Sequence, residues 1–198
     1  LASAPKVQAI GEIGLDFHYG KDSKAEQIEL FRKQIRIANE LMMPIMIHTR
    51  EADALTRDIL IEEGAFREER KAHFPKRPDG QGGMVADARV QLHCYSGSLE
   101  LAREYVKLGA TFSIGGPLTF KNARKTVEVL EGIPLQFIMS ETDAPFLAPE
   151  PKRGRSNKTP YIEHVVRRMA LLKDIGFDEA VRITSENARR FFNIEVLL

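Results

Sequence analysis

Short β-rich stretches that alternate with helical segments constrain this chain more than any other feature. Five recur: VQAIGEIGLD (7–16), PIMIHTRE (44–51), VQLHCYSG (90–97), ATFSIGG (110–116) and LQFIMSETDAP (135–145). A strand–helix–strand rhythm of this kind leads to a parallel sheet whose crossovers are the helices. The sheet is either covered on both faces or closed into a barrel, and in both cases ligands gather at the C-terminal ends of the strands. Four of the five stretches carry a metal-ligand residue type near that end: Glu12, His48, His93 and Asp143. The fifth finishes in Gly115 and Gly116. Intervals of 36, 45 and 50 residues between the four are too long for a local metal knuckle and fit one or two strand–helix units each.

The segments between the stretches read as helices. SKAEQIELFRKQIRIANEL (23–41) places Ile28, Phe31, Ile35 and Ala38 on one face, and Ser23 with Glu26 three residues later reads as a capping box. Similar patterns cover 51–64, stopped by Gly64, then 98–109, stopped by Gly109, and 121–132. The last third reads as a helix after Pro160, followed by two helical pieces separated near Thr184 and Ser185. Residues 65–89 break the rhythm with two prolines and three glycines, and are expected to form a long flexible insertion. Lying between a helix and a strand, they fall on the N-terminal side of the strands, away from the chemistry.

Composition narrows the class. With 43% hydrophobic and 29% charged residues, the 198-residue chain can bury a sizeable core as one domain. A formal net charge of +1 gives no global footprint for nucleic acid, although a local one remains open. The single cysteine, Cys94, excludes an internal disulfide framework and suits a reducing compartment; following His93 in a strand, it is expected to point into the core. No run of about 18 apolar residues is present to span a membrane, and the N-terminal LASAPKVQAI lacks the apolar core of a signal peptide. The chain therefore reads as soluble and cytoplasmic, with no membrane partner.

Two imidazoles and two carboxylates make a borderline-hard donor set, suited to Zn²⁺, Mn²⁺ or Mg²⁺. A carboxylate can bridge two cations, and Glu12 is the candidate. Two cations roughly 3.5–4 Å apart would acidify a shared water and hold both sides of a phosphodiester or amide under attack. Glu141 lies two residues before Asp143 and is expected to support the metal ligands from behind. Arg50, two residues past His48, is placed to meet an anionic substrate, and His18 in the loop after the first strand is a further candidate contact. PKRGRSNKTP (151–160) concentrates Lys152, Arg153, Arg155 and Lys158, either as a phosphate-contacting lip or as a solvated basic loop.

The motifs AIGEIGLDFHY, PIMIHTREA, LHCYSGSLELAREYVKLG, SIGGPLTFKNA, ETDAPFLAPEP and RGRSN together resemble the TatD-like metal-dependent hydrolases, a deoxyribonuclease family of the amidohydrolase superfamily. The resemblance runs from about Val7 to Ile194 without 65–89. It implies a TIM-type (β/α)₈ barrel, up to two divalent cations, and hydrolysis of DNA phosphodiester bonds, often as a 3′-to-5′ exonuclease. Carried onto this chain, it makes Glu12 the bridging carboxylate, His48 and His93 ligands of one metal, and Asp143 a ligand of the other and the general base. Arg155 and Asn157 become substrate contacts. The family's first strand carries a His-x-His pair that this sequence lacks, so only about the last five strand–helix units are expected here. The complete protein is expected as a monomer binding single-stranded DNA or 3′ ends, and this chain as one that takes one metal far better than two and tends to oligomerise or aggregate. Hydrolysis of a small-molecule amide, ester or phosphoester, and a non-catalytic remnant with a partial metal site, are the alternatives.

Overall fold

The computed structural model describes residues 2–194. Among them, seven strands follow in chain order: β1 (Ile10–Asp16), β2 (Ile45–Arg50), β3 (Arg77–Pro78), β4 (Met84–Val85), β5 (Val90–Leu92), β6 (Thr111–Ile114) and β7 (Ile138–Ser140). The strands β1-β2-β5-β6-β7 form one sheet in that order, every pairing parallel, while β3 and β4 make a separate antiparallel hairpin. Helices α1 (Lys24–Glu40), α2 (Asp53–Glu62) and α3 (Glu68–His73) lie within the first two crossovers. The later crossovers carry α4 (Leu99–Leu108) and α5 (Arg124–Gly132), and α6 (Ile162–Lys173) and α7 (Phe177–Phe192) follow β7. The expected α/β class with a parallel sheet is the one observed.

Register divides the sheet into two unlike faces. Ile47 pairs with Ile13 and Leu92, Leu92 with Phe112, and Phe112 with Ile138, so one face is a continuous apolar surface. Phe31 and Ile35 of α1, Leu60 of α2, Tyr105 of α4, Leu130 of α5 and Met169 of α6 belong to the same buried cluster. Fully burying each such side chain contributes roughly 1.5–3 kcal/mol. Pleat alternation turns the intervening residues to the other face, where His48, Gln91 and Ser113 lie.

Three local expectations are corrected. Ser23 precedes α1 but its hydroxyl caps no backbone N–H; a 3-10 turn over Lys21–Ser23 leads into the helix, and the hydroxyl instead accepts from Gln27 Nε2 at 3.1 Å. The two helical pieces near Thr184 are one helix, α7, because the buried Thr184 hydroxyl donates to the Ala180 carbonyl four residues back at 2.8 Å and leaves the backbone ladder intact.

The third correction concerns 65–89, which is built rather than irregular. It contains α3 and the β3–β4 hairpin, whose turn is closed by Asp79 Oδ1 accepting from the N–H groups of Gln81 and Gly83. Two fully buried guanidinium groups fasten it at the N-terminal ends of the strands. Arg70 donates to the carbonyls of Ala38 (3.1 Å), Met43 (2.9 Å) and Ala88 (3.1 Å). Arg77 donates to Thr111 Oγ1 at 2.6 Å and lies 4.0 Å from the centre of the Phe137 ring. Prolines, glycines and few apolar residues favoured a loop; arginines are rarely fully buried, and here backbone carbonyls left over by α1 and by the strand entries supply their partners. Arg70→Ala is expected to cost about 3 kcal/mol or more, since it strands several buried acceptors at once. A urea denaturation midpoint unchanged from wild type would show that this anchor carries no stability.

Candidate metal centre

The sheet brings the four expected residues to one side, where all of them line one cleft. Glu12 sits inside β1 and not at its end, since the strand continues to Asp16. An extra residue in β1 between Ile10 and Ile13, opposite Ile45 and Ile47, lets both isoleucines face the core and keeps Glu12 on the polar face with Gly14. Gly14 pairs with His48, and a Cβ there would fall 1.9 Å from the His48 carbonyl oxygen, so only glycine permits this approach of β1 to β2. His93 is the first residue after β5, tied by its N–H to the Ile47 carbonyl at 2.9 Å. Asp143 lies beyond β7 with φ +57°, and its carbonyl accepts from the Phe146 N–H at 2.8 Å.

Donor atoms of Glu12, His93 and Asp143 all lie within 4.8 Å of one another. His93 Nε2 is 3.2 Å from Glu12 Oε1 and 3.3 Å from Asp143 Oδ1. His48 stands at the edge of this cluster, with Nδ1 3.8 Å from Glu12 Oε2 and Nε2 3.3 Å from Asp16 Oδ2. Glu12, His93 and Asp143 thus form the closest group, with His48 next to it. A single imidazole faced by several carboxylates is a donor set that a divalent cation suits, so the residues fit a metal site. Nearby backbone and side chains line an open cleft of ≈ 730 Å³ that includes Glu12, His48, His93 and Asp143.

Behind His93, the Glu141 carboxylate lies 2.7 Å from Nδ1, an ion-pair distance without the alignment of a good hydrogen bond. Burial opposes charge on both groups. It is outweighed in His93 by Glu141 and the charges of Glu12 and Asp143, which lift the imidazole to about 9. In Glu141 it is outweighed by His93 and by the Ser113 hydroxyl, which donates to Oε2, and the carboxyl is held below its usual range. A carboxylate behind a ligating histidine fixes its ring and tautomer. Asp16, which sequence reasoning missed, does the same for His48. Burial would raise its pKa, but the N–H groups of Tyr19 and His18, each donating at 2.9 Å, together with His48 hold it low. The signal was present in GLD, two residues past Gly14 on the same strand face.

Cys94 is not in the core. The strand stops at Leu92 and Cys94 turns to φ +43°, so pleat alternation no longer applies and the residue lines the cleft half-buried. Burial and the surrounding carboxylates push its thiol pKa up, which keeps it protonated.

The expected substrate contacts divide. Arg50 lines the cleft, with its guanidinium 4.7 Å from the centre of the Tyr19 ring. His18 does not line it and instead places Nδ1 2.6 Å from Glu51 Oε1. In the basic loop, Arg153 lies 3.8 Å from the Phe120 ring centre and Lys152 5.7 Å from that of Tyr161, and Arg155 is exposed; none of the three lines the cleft. Asn157 is buried, and its amide donates to the carbonyls of Thr142 and Phe146. With both hydrogens spent there, it positions the Asp143 loop instead of reaching outward.

The model of the TatD-related DNase family matches residues 1–193. The chain belongs to this family. It is 43% identical over 194 residues to an uncharacterized metal-dependent hydrolase, YabD, of Bacillus subtilis (strain 168), covering 98% of this chain and 68% of that one. It is 35% identical over 195 residues to an uncharacterized metal-dependent hydrolase, YcfH, of Escherichia coli (strain K12), covering 98% and 66%. This TatD-family chain thus spans about two thirds of the length of these curated relatives. Among solved structures, the TatD homologue YJJV from Escherichia coli K12 superimposes with a TM-score of 0.80 at 26% identity, over 96% of this chain and 66% of that one. The parallel sheet and its helices accordingly match a TIM-barrel-like TatD architecture.

Removing the support behind His93 by Glu141→Ala is expected to weaken binding of Mn²⁺ or Zn²⁺ by 10–100-fold while the chain stays folded. Isothermal titration, with circular dichroism as the control for folding, reads this directly, and unchanged affinity would deny Glu141 its positioning role.

Proposed function

We propose that this TatD-family chain forms the cation-binding part of a metal-dependent phosphodiesterase that shortens DNA, removing nucleotides from 3′ ends. The observation that carries the reading is the close group of Glu12, His93 and Asp143 in a cleft that also holds the Arg50 guanidinium. Mg²⁺, Mn²⁺ or Zn²⁺ held by this group would supply Lewis acidity and an acidified water. Glu12 is the bridging ligand in this reading, and His48, steadied by Asp16, completes the donors on its side. Asp143, partly exposed and close to His93, accepts the proton of the attacking water. Arg50 meets a phosphate oxygen with its fork of N–H groups.

Only three donors cluster tightly among the described residues, which favours one cation bound well ahead of a second. Titrating Mn²⁺ into the purified chain is expected to show one tight site; two sites of equal affinity would overturn this part of the reading.

The hydrolysis itself is tested with a labelled single-stranded oligonucleotide and each of the three cations. Wild type is expected to shorten it from the 3′ end, and Asp143→Asn to lose about 10²–10⁴-fold in rate, the range typical of a positioned general base. A second reading, hydrolysis of a small-molecule ester or amide, draws support from the cleft volume, which falls in the range of small-ligand pockets. Turnover of such an ester, dependent on Asp143 and unaccompanied by any cleavage of DNA, would decide for it. Cation binding with neither activity would leave the chain a binding remnant.

A further inference from the structure

The two most exposed aromatic side chains of the cleft are Tyr19 (78% exposed) and Phe146 (69% exposed). Phe31, Phe112 and Phe191, by contrast, are fully buried. Tyr19 follows β1 and Phe146 follows β7, the outermost strands of the sheet, while His48 and His93 come from the strands between. Glu12 and Asp143, from these same two outer segments, have donor atoms within 4.8 Å of one another, and both rings line the cleft they share.

Neither ring is on a slack loop. The Tyr19 N–H donates to Asp16 Oδ1 at 2.9 Å, and its ring is packed edge-on against His18, with centroids 4.7 Å apart, beside the Arg50 guanidinium. The Phe146 N–H donates to the Asp143 carbonyl, and its own carbonyl accepts from the buried Asn157 amide at 2.8 Å. The adjoining Leu147 carbonyl lies so close to Gly116 that a Cβ there would fall 1.8 Å from it. Backbone this firmly held, carrying apolar rings out to solvent beside a cationic fork, is arranged to receive a flat ligand attached to an anion. A nucleobase joined to a phosphate has that chemistry, and every base offers a face to an aromatic ring.

We infer that Tyr19 and Phe146 are stacking platforms for unpaired nucleobases next to the phosphate that Arg50 and the cation donors hold. This rests on the phosphodiesterase reading above and adds to it a basis for recognising the strand. A duplex, with its bases already stacked on one another, offers no free faces to the rings.

The test compares wild type with Tyr19→Ala, Phe146→Ala and the conservative Tyr19→Trp and Phe146→Trp on single-stranded DNA, and on the same strand with abasic sites flanking the cleaved bond. Each alanine variant is expected to raise KM about 10-fold on the normal strand and less than twofold on the abasic one, with tryptophan restoring the wild-type value. Equal losses on both strands, or no loss on either, would overturn the inference. Should wild type cleave no DNA, the phosphodiesterase reading fails separately, and binding of an oligonucleotide containing 2-aminopurine decides the stacking. Quenching by wild type that both alanine variants lose supports it, and absence of quenching by wild type overturns it. Circular dichroism of each variant guards against misfolding.

Discussion

In-register pairing of Ile13, Ile47, Leu92, Phe112 and Ile138 across five parallel strands is the constraint on which the rest of the structure depends. A side-chain period of two leaves no freedom once one face is committed to burial: slipping any strand by one residue would put its isoleucines or leucines on the wrong side. The helices pack where the apolar face lies, and the alternate positions are left to polar residues. His48 inherits its place in the cleft from that rule, and Ser113 its place beside Glu141. The meeting of Glu12, His93 and Asp143 thus follows from how the strands are laid side by side, which is why side chains more than 100 residues apart come together without any local motif.

Support for the donors follows a common plan at two points. His93 has Glu141 behind it and His48 has Asp16 beside it, so each imidazole is held by a carboxylate that is not itself in the close group. Desolvation makes such carboxylates costly unless they are partnered. Here the partners are the histidines, a serine hydroxyl and backbone N–H groups, and the same contacts that stabilise the charge also fix the rings. Asn157 extends the plan to backbone: its amide ties the carbonyls of Thr142 and Phe146, on either side of Asp143. The far end of the strands shows the complementary solution, with buried Arg70 and Arg77 held by backbone carbonyls and a threonine hydroxyl.

The alternation of strands and helices, the parallel sheet, the burial of Phe31, Ile35 and Ala38, and the convergence of Glu12, His48, His93 and Asp143 on one cleft were legible in the sequence because each rests on periodicity or on topology. A period of two or 3.6 is written along the chain, and crossover geometry converts strand ends into neighbours without further information. The stop signals at Gly64 and Gly109 were legible for the same reason, since both glycines take a left-handed conformation that terminates a helix.

What tertiary structure alone decided are matters of angle and partnership. Spacing says that Glu12 reaches the site, but only the extra residue in β1 sets it beside His93 and leaves His48 against Asp16. Alternation placed Cys94 in the core until the strand ended two residues earlier and the backbone turned. An arginine-rich, glycine-rich stretch looks like loose chain until the carbonyls that will bury its guanidinium groups are known, and those come from segments distant in sequence. Sequence fixes the periodicities that choose which face a residue takes. Distances of a few ångströms between groups brought together by folding determine which residue partners which, and those are set by the packing of the whole sheet.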